Sequence, residues 1–365
     1  MQRVATAPRE CWRERLESLG FGFHTLDGPY WVEDACYRFT EWEIDLLEAA
    51  GNELHAMCLE TVAEVVRRGD YEALGLGRLA AGWVDQAWRA GEGALYGRMD
   101  LAYDGITPPK LLEYNADTPT ALFEAAVVQW YWLEETRAGC DQFNRIHEAM
   151  VERWGDLLPT DARVHFAGCL DAVEDQATVE YLRETCAQAG NATGLLDMSD
   201  IGWRDGRFVD LEDAHIRYGF KLYPWEWMVD EPFAAHLGQA ATRWIEPAWK
   251  QVLSNKSLLP LLWSRYAGHP NLLPASHDPR VIHGPTVAKP RHGREGEGVV
   301  LSDRGMHFAE PGMVYQARAP LFQSEAGHAL VGLWVVGDEA VGMGIREDAS
   351  PVTGNASRFV PHCFG

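Results

Sequence analysis

Residues 97–120 read GRMDLAYDGITPPKLLEYNADTPT, and they are the most informative part of the chain. Arg98 and Asp100 stand two positions apart in the first segment, and Glu113 and Asn115 stand two apart in the second. The turn-rich link DGITPP joins the segments. Because strand side chains alternate between the faces of a sheet, both pairs are predicted to point to one face of a β-hairpin. Three oxygen ligands and one guanidinium should therefore converge there.

These side chains suit a particular ion and a particular chemistry. Carboxylate and amide oxygens are the hard ligands that Mg²⁺ takes together with substrate phosphates. Asp100, Glu113 and Asn115 are therefore predicted to hold Mg²⁺-ATP, and Arg98 to stabilise a phosphoryl group in transfer. The alternative is a surface hairpin in which Arg98 forms an ordinary salt bridge. Two matched pairs with Asn as the fourth member favour the functional interpretation.

Composition narrows the class of protein and its partners. The 365-residue chain is long enough for two domains or one large composite domain. Its formal net charge of −22 argues against a nucleic-acid or anionic-membrane partner, because phosphate binding needs a basic face. No apolar run approaches the roughly 18–20 residues of a transmembrane helix, and the N-terminus has no secretory apolar region. The seven cysteines lack paired or metal-like spacing, which favours a reducing cytoplasm.

Hydrophobic periodicity predicts where the helices lie. Residues 10–20 form an amphipathic segment that ends at a plausible glycine cap, and residues 40–70 show apolar residues at i, i+3 and i+4 spacing. Residues 121–154 are predicted to form one long, aromatic-rich helix, and residues 233–253 are predicted to be helical as well.

Other segments carry strand signals. Residues 162–203 contain strand VHFAG, a helical stretch and strand ATGLLDM, a β-α-β unit that predicts a parallel sheet. From 286 to 350 the apolar period changes to two, which predicts an antiparallel sheet. Within it, VGDEA (336–340) is predicted to form a hairpin turn. The chain is therefore expected to mix parallel and antiparallel sheets.

A glycine-rich loop at residues 291–298 is a candidate phosphate-binding element. Lys289 ends the strand TVAK, and the loop, which includes Gly293 and Gly296, runs into the strand VVLSD. Backbone amides of such a loop can wrap phosphate oxygens because no Cβ keeps them away. The loop lacks GK[ST] before a helix and joins two strands, so it is neither a Walker A loop nor a dinucleotide fingerprint. An ordinary hairpin loop is the alternative.

Three further residues could contribute to a nucleotide or substrate site. Lys256, ahead of an apolar segment, could supply a second cation to phosphates, although a solvated lysine at a helix start is the alternative. Gln316 lies in an apolar-Tyr-Gln strand whose backbone could bind an adenine edge. Arg346 ends a strand beside acidic residues. Either Gln316 or Arg346 could instead be a satisfied structural group.

The segment Asp171–Asp175, which contains Glu174 and Asp175, follows the strand VHFAG and opens a helix. Ligands of open α/β sheets bind beyond the carboxyl ends of the strands, and acidic residues there would suit the ammonium of an amine substrate. The alternative is that these acids simply favour the helix macrodipole at its N-terminus.

Taken together, these residues resemble the synthetase domain of the glutathionylspermidine synthase family in the ATP-grasp superfamily. The resemblance runs from about residue 10 to the end of the chain. It is strongest in four segments: YGRMD…LLEYNADTPT, EPAWKQVLSNKSLLPLLW, AKPRHGREGEGV and GIREDASPVTGNASRFVPH. The chain looks like a stand-alone bacterial member, because the N-terminal cysteine amidase domain of the bifunctional members is absent.

The order of the motifs carries further information. The ATP-grasp metal pattern is R-x-D followed by E-x-N thirteen residues on from the Asp, and it stands here at residues 98–100 and 113–115. In most ATP-grasp enzymes this pattern follows the lysines that hold ATP, whereas here it precedes Lys256 and Lys289. The order looks circularly permuted, as it is in this family.

The resemblance implies a fold and an activity. The fold class would be α/β (α+β): a circularly permuted ATP-grasp core over 1–160 and 232–365, with a small parallel-sheet pre-ATP-grasp subdomain over 161–231. The activity would be an ATP-dependent carbon–nitrogen ligase. A substrate carboxylate would attack the γ-phosphate to give an acyl phosphate, and an amine would then displace the phosphate and form an amide. The glycine-rich loop is the candidate lid that excludes water.

The resemblance also implies roles for individual residues. Asp100, Glu113 and Asn115 match the family's Mg²⁺ ligands, and Arg98 matches the arginine that stabilises the transferring phosphoryl. The remaining correspondences are Lys256 and Lys289 on the ATP phosphates, Gln316 near the adenine, Arg346 on the acyl substrate, and Thr118 and Thr120 as hydroxyls of the substrate site.

Departures from the family pattern keep the substrates open. Pro119 and Ala121-Leu122 alter the surroundings of the two threonine hydroxyls, and residues 220–229 are apolar where a substrate-contacting hydroxyl is expected. The expected partners are therefore a small-molecule or peptide carboxylate and an amine. Two alternatives remain: an ATP-grasp-like phosphotransferase or nucleotide-binding protein without an amide product, and a non-enzymatic α/β binding protein.

Overall fold

The computed structural model describes residues 1–25 and 28–365. The α-helices in these ranges are α1 Trp12–Ser18, α2 Glu41–Arg68, α3 Arg78–Arg89, α4 Gln129–Thr136, α5 Ile146–Leu157, α6 Val173–Gln188, α7 Trp225–Met228, α8 Ala234–Leu237, α9 Lys250–Ser254 and α10 Leu258–Arg265. Within the same ranges, none of the helices combines the length and the apolar run that crossing a bilayer requires.

The strands are interspersed with these helices as far as α10, and the later strands follow that helix. They are β1 Gln2–Ala5, β2 Ala35–Phe39, β3 Tyr96–Ala102, β4 Lys110–Asn115, β5 Arg163–Gly168, β6 Ala192–Asp197, β7 Gly202–Arg204, β8 Arg207–Val209, β9 Tyr218–Leu222, β10 Arg243–Ile245, β11 Ala275–Ser276, β12 Thr286–Pro290, β13 Val300–Ser302, β14 Met313–Ala317, β15 Phe322–Ser324, β16 Gly327–Val336, β17 Glu339–Asp348, β18 Arg358–Val360 and β19 His362–Phe364.

The central antiparallel sheet has the order β18-β17-β16-β3-β4, with β15 also paired to β16. Alternation along β3 gives the sheet two different faces: Met99 and Leu101 belong to the buried core that also contains residues of α2, whereas Arg98 and Asp100 point to the opposite side. The helix lies so close that a Cβ on Gly51 would come within 2.1 Å of the Leu333 side chain. One face is therefore a packed core, and the other carries the polar residues.

The parallel sheet has the order β10-β9-β5-β6. Its β5-α6-β6 unit confirms the β-α-β prediction for residues 162–203. The helical prediction for 233–253 is wrong in its centre, because Arg243–Ile245 forms β10, which pairs with β9. A short apolar run such as RWI does not distinguish strand from helix by periodicity. The sheet thus takes a strand from beyond residue 231.

Residues 286–350 form antiparallel strands, as predicted, but the strands belong to two sheets. A separate sheet of order β11-β14-β12-β13 contains the first of them, whereas β15, β16 and β17 belong to the central sheet. The predicted VGDEA turn is confirmed, since Val336 pairs with Glu339 at the β16–β17 hairpin. The remaining strands form the small sheet β1-β2-β19 and the hairpin β7-β8.

The long helix predicted over 121–154 is wrong, because it is interrupted after Thr136. Gly139 adopts φ +91, and Asp141 exchanges two backbone hydrogen bonds with Phe364, at 2.9 and 2.8 Å. Pairing with the C-terminal strand therefore outweighs local helix propensity. The structure has a π-helical turn over Glu124–Val128, then α4, and α5 begins only at Ile146.

The helices predicted near 10–20 and 40–70 are confirmed as α1 and α2. A capping box begins α2: the Thr40 hydroxyl accepts a hydrogen bond from the Glu43 amide at 3.3 Å, and the Glu43 carboxylate accepts one from the Thr40 amide at 2.9 Å. Gly69 ends the helix in the left-handed region at φ +72, where a side chain would be strained. Both boundaries thus follow from local side-chain chemistry.

Candidate active site

The β3–β4 hairpin brings the predicted set together. Arg98 stands opposite Asn115 and Asp100 stands opposite Glu113, with a β-bulge at the step from Asp100 to Leu101. All four side chains thus share one face, as the spacing predicts. On the neighbouring strand, Gly332 lies opposite Asp100, and a Cβ there would come within 2.9 Å of Arg98 Cδ. A glycine at this position leaves room for the Arg98 side chain.

Arg98 and Asp100 form a two-point ion pair. Arg98 Nε donates to Asp100 Oδ1 at 2.7 Å and Nη2 donates to Oδ2 at 3.0 Å, while Nη1 donates to the Thr120 carbonyl at 2.6 Å. Asp100 is only 5% exposed. Burial raises the pKa of Asp100, and the adjacent guanidinium acts in the opposite direction. Every nitrogen of the Arg98 guanidinium is therefore used to fix its position.

The second carboxylate lies beside two cationic lysines. Asn115 Nδ2 donates to Glu113 Oε1 at 3.0 Å and to Asp100 Oδ2 at 3.1 Å, and Lys256 Nζ lies 3.1 Å from Glu113 Oε2. Burial acts to raise the pKa of Glu113, but Lys256 and Lys289 outweigh it and lower that pKa to about 2. The Asn115 amide group thus donates to both carboxylates, whose oxygens are the kind of ligand that a small, hard cation requires.

Lys289, on β12, extends its side chain to the backbone of β4 beside Glu113. Its Nζ donates to Gln316 Oε1 at 2.9 Å and to the Leu112 carbonyl at 2.8 Å, while Gln316 Nε2 donates to the Leu111 carbonyl at 2.9 Å. Burial lowers the pKa of Lys289 to about 8, although Glu113 opposes the shift. The lysine and the glutamine therefore connect the central sheet to the β12–β14 sheet.

Two cavities adjoin the hairpin. Cavity A has a volume of about 280 Å³, and cavity B has a volume of about 120 Å³. The residues that line both are Asp100, Glu113, Gly293, Gly296, Leu330 and Thr353. Lys256, Lys289 and Gln316 line cavity A only, whereas Arg98, Asn115, Thr118, Thr120 and Arg346 line cavity B only. The two predicted metal carboxylates thus stand in the wall between the cavities.

The glycine-rich loop lies over this wall. Its Gly293 carbonyl accepts a hydrogen bond from Lys256 Nζ at 2.7 Å, and its Arg294 donates to the Thr118 hydroxyl at 2.6 Å. Gly296 adopts φ +71, and a Cβ there would lie 2.5 Å from the Thr353 carbonyl oxygen. A larger residue at position 296 would push the loop away from the backbone of Thr353. The loop thus contacts both sides of the site.

Of the other predicted site residues, all within the part of the chain that the structure describes, Arg346 lines one of the two cavities, whereas Glu174 and Asp175 line neither. Arg346 lines cavity B, but its Nε and Nη2 donate to the carbonyls of Ser357 and Gly354, each at 3.1 Å, so it also holds the 354–357 segment. Glu174 and Asp175 lie in the first turn of α6, and burial raises the pKa of each. Among the residues that the structure describes, neither of these two acids lines cavity A or B.

Sequence reasoning missed a buried ion pair behind cavity B. Lys221 Nζ lies 2.7 Å from Asp117 Oδ1 and donates to the Tyr223 carbonyl at 2.9 Å, and the Trp225 amide donates to Asp117 Oδ2 at 2.9 Å. Asp117 lines cavity B, and so does Glu226. The available signal was a lysine inside the apolar strand YGFKLY, because a lysine is seldom fully buried unless it is paired.

Replacing Lys221 with methionine should lower the free energy of unfolding by about 3–5 kcal/mol, because it leaves the Asp117 charge buried without its partner. Chemical denaturation would measure the change. The double variant Lys221→Met/Asp117→Leu should recover much of the loss, since it removes both charges. Equal stability of the single variant and the wild-type protein would contradict this account of the pair.

Comparison with known proteins identifies the class to which this fold and site belong. The chain belongs to the glutathionylspermidine synthase family, because that family's preATP-grasp model matches residues 3–365. A solved glutathione synthetase-like effector from Globodera pallida has a similar fold, with a TM-score of 0.58 at 10% identity, over 90% of this chain and 88% of that one. The mixed α/β fold of the ATP-grasp type, predicted from the sequence, is thereby confirmed.

Curated relatives define the class of enzyme. A Haemophilus influenzae protein named "putative acid–amine ligase" is 42% identical and covers 100% of both chains. Trypanothione synthetase from Crithidia fasciculata and the bifunctional glutathionylspermidine synthetase/amidase from Escherichia coli are each 28% identical, over 95% and 96% of this chain. The chain spans 57% and 63% of the length of those two proteins. It is an enzyme of the ligase class that these relatives represent.

Proposed function

We propose that the chain is an ATP- and Mg²⁺-dependent ligase that forms an amide between a peptide or amino-acid carboxylate and an amine. The observation that carries this proposal is the placement of Asp100 and Glu113 in the wall between cavities A and B. A phosphoryl group that leaves a nucleotide in cavity A for a carboxylate in cavity B would pass these side chains. The lysines of cavity A and the arginines of cavity B supply the positive charge that such a transfer needs.

The residues present fit a magnesium ion. Asp100, Glu113 and Asn115 would hold it, because carboxylate and amide oxygens are the ligands that it prefers. The two carboxylates also converge on one point, since both accept a hydrogen bond from Asn115 Nδ2. When bound, the ion would neutralise phosphate charge. In the same proposal Lys256 and Lys289 bind phosphate oxygens, Gln316 lies beside the nucleotide base, and the other cavity A residues exclude water.

The proposed reaction has two steps, and side chains of this protein assist both. The substrate carboxylate would attack the γ-phosphate to give an acyl phosphate, and the amine would displace phosphate to form the amide. Arg98, held by Asp100 and Thr120, would stabilise the phosphoryl group in transfer. Arg346, Thr118 and Thr120 would orient the acyl substrate. The glycine-rich loop would keep water from the acyl phosphate.

The test is ADP release across a panel of peptide or amino-acid carboxylates and amines. We expect release that requires both substrates and added Mg²⁺. Hydroxylamine in place of the amine should trap the acyl phosphate as a hydroxamate. ADP release that yields no hydroxamate with any carboxylate would instead favour the phosphotransferase alternative, and failure to bind ATP in the presence of Mg²⁺ would favour a binding protein without this activity.

ATP affinity should fall as the pH rises through the pKa of Lys289, which burial lowers to about 8. Below that pH the side chain is an ammonium that attracts phosphate, and above it the side chain is neutral. Affinity at about pH 7 should therefore exceed affinity at about pH 9. Calorimetry in two buffers of different ionisation enthalpy should detect proton uptake on binding at the higher pH.

The matched variant for this pH dependence is Lys289→Arg, whose guanidinium keeps its charge throughout the range. The variant should show a flatter affinity profile and no proton uptake that depends on the buffer. The same pH dependence in the variant and in the wild-type protein would show that another group is responsible.

A further inference from the structure

Most of the carboxylates that line cavity B already have a cationic partner. The pairs are Asp100 with Arg98, Glu113 with Lys256 and Asp117 with Lys221. Glu226 and Glu295 also line the cavity, and neither has a hydrogen bond or an ion pair from another residue in the described ranges. Glu295 is exposed on the glycine-rich loop, whereas Glu226 is half-buried on α7. Glu226 is therefore the recessed carboxylate that lacks a partner.

The backbone around Glu226 is firmly held. The Trp225 amide donates to Asp117 Oδ2 at 2.9 Å, and the Trp225 indole donates to the Glu246 carbonyl at 3.0 Å. The Trp225 side chain is buried, with 3% exposure. On the other side, the Arg294 guanidinium lies 5.0 Å from the centre of the Trp227 ring. The contacts of Trp225 thus fix the backbone next to Glu226, and with it the part of the cavity wall that the Glu226 side chain can reach.

The cations nearest to Glu226 are already engaged. Lys221 contacts Asp117, the Tyr223 carbonyl and the face of the Trp225 ring. Arg294 donates to the Thr118 hydroxyl. Burial raises the pKa of Glu226, and the neighbouring Asp117 charge adds to that effect, while Arg294 and Lys221 oppose it. A cation that enters the cavity would therefore stabilise the charged form of this half-buried carboxylate.

We propose that Glu226 binds an ammonium group of a substrate in cavity B. The inference rests on the proposed function, because it takes cavity B as the substrate cavity. The ammonium could belong to the acyl donor, as the α-ammonium of an amino acid or peptide, or to the amine, as a second charged nitrogen of a diamine. In either case the ammonium is a different group of the substrate from the one that reacts. Glu226, in contrast to Glu174 and Asp175, lines the cavity itself.

The test compares KM values for charged and neutral substrates in Glu226→Gln, which keeps the size of the side chain and removes its charge. In the ADP-release assay, acyl donors are used with a free and with an acetylated α-amino group, and amines are used as diamines and as matched monoamines. The exposed carboxylate of Asp230, on the same segment, supplies the control variant Asp230→Asn.

We expect Glu226→Gln to raise the KM of the ammonium-bearing substrate by about tenfold or more, with little change in kcat. The neutral analogue should show the same KM in variant and wild type. An effect confined to free-amino acyl donors identifies the acyl substrate as the source of the ammonium, and an effect confined to diamines identifies the amine. Asp230→Asn should behave as wild type.

Two failures can be told apart. A folded wild-type protein that binds ATP but releases no ADP with any substrate pair would overturn the proposed function. An active wild-type protein whose KM values are all unchanged by Glu226→Gln, or are raised instead by Glu174→Gln, would overturn only the role of Glu226. If Glu226→Gln does not fold, Glu226→Asp keeps the charge at a shorter reach and should raise the same KM by a smaller factor. An unchanged KM in that variant would overturn the role.

Discussion

Replacing Glu113 with glutamine is expected to abolish ADP release while the protein stays folded. Glu113 is the carboxylate that Lys256 and Lys289 keep ionised, with a pKa of about 2, and it stands in the wall between the two cavities. Glutamine preserves the shape of the side chain but removes the charge that would hold Mg²⁺. Because the phosphoryl group in transfer depends on such charges, we expect the rate to fall by about 100- to 1000-fold or more.

The measurement is ADP release with saturating substrates, together with a circular dichroism spectrum to confirm the fold. Mg²⁺-dependent protection against thermal unfolding in the presence of ATP should be lost as well, which gives a readout that does not depend on turnover. Glu310→Gln, a change at an exposed carboxylate, supplies the matched control and should leave both properties unaltered. Turnover that survives in Glu113→Gln would exclude the metal assignment.

Replacing Arg98 with lysine is expected to reduce kcat by about 1000-fold, although the charge is conserved. The guanidinium uses Nε and Nη2 on both oxygens of Asp100 and Nη1 on the Thr120 carbonyl, at 2.6–3.0 Å. A lysine ammonium cannot make these contacts with the same geometry. The variant therefore separates the effect of position from the effect of charge.

Steady-state kinetics and ATP binding together test this prediction. ATP affinity should change little, because Arg98 lines cavity B and not cavity A. The control is Arg78→Lys, at an exposed arginine, which should keep wild-type kcat. A kcat of Arg98→Lys close to that of the wild-type protein would mean that Arg98 has a structural role only.

The parts of the site that the sequence predicts well depend on local rules. The period of two in a strand places Arg98 and Asp100 on one face, and the short DGITPP link leaves antiparallel pairing with Glu113 as the simple outcome. The β-α-β unit of residues 162–203 follows in the same way from alternating patterns. The roles of the site residues stay predictions until the variants above are measured.

Features that depend on distant contacts could not be predicted. Lys221 and Asp117 are 104 positions apart, and nothing in either segment indicates the other. After the helix ends at Thr136, with Gly139 in the left-handed region, Asp141 pairs with Phe364, which lies far along the chain. Glu226 follows a tryptophan in an apolar segment, so its place in a cavity wall emerges only in three dimensions. Each of these features includes a contact between segments that are distant in sequence.

Other expectations also stay predictions. The division into 1–160, 161–231 and 232–365 is one, and β10 shows that the parallel sheet draws on residues beyond 231. A cytoplasmic location, inferred from the cysteine pattern, is another. So is the absence of a nucleic-acid partner, inferred from the net charge of −22.

The position of β3 inside the central sheet affects how the chain can fold during synthesis. One edge of β3 pairs with β4, which leaves the ribosome soon after it, but the other edge pairs with β16, which begins only at Gly327. Until that strand emerges, the edge of β3 that will pair with β16 has open backbone groups that can pair with another chain. Nascent chains that stop before residue 336 should therefore aggregate or recruit chaperones.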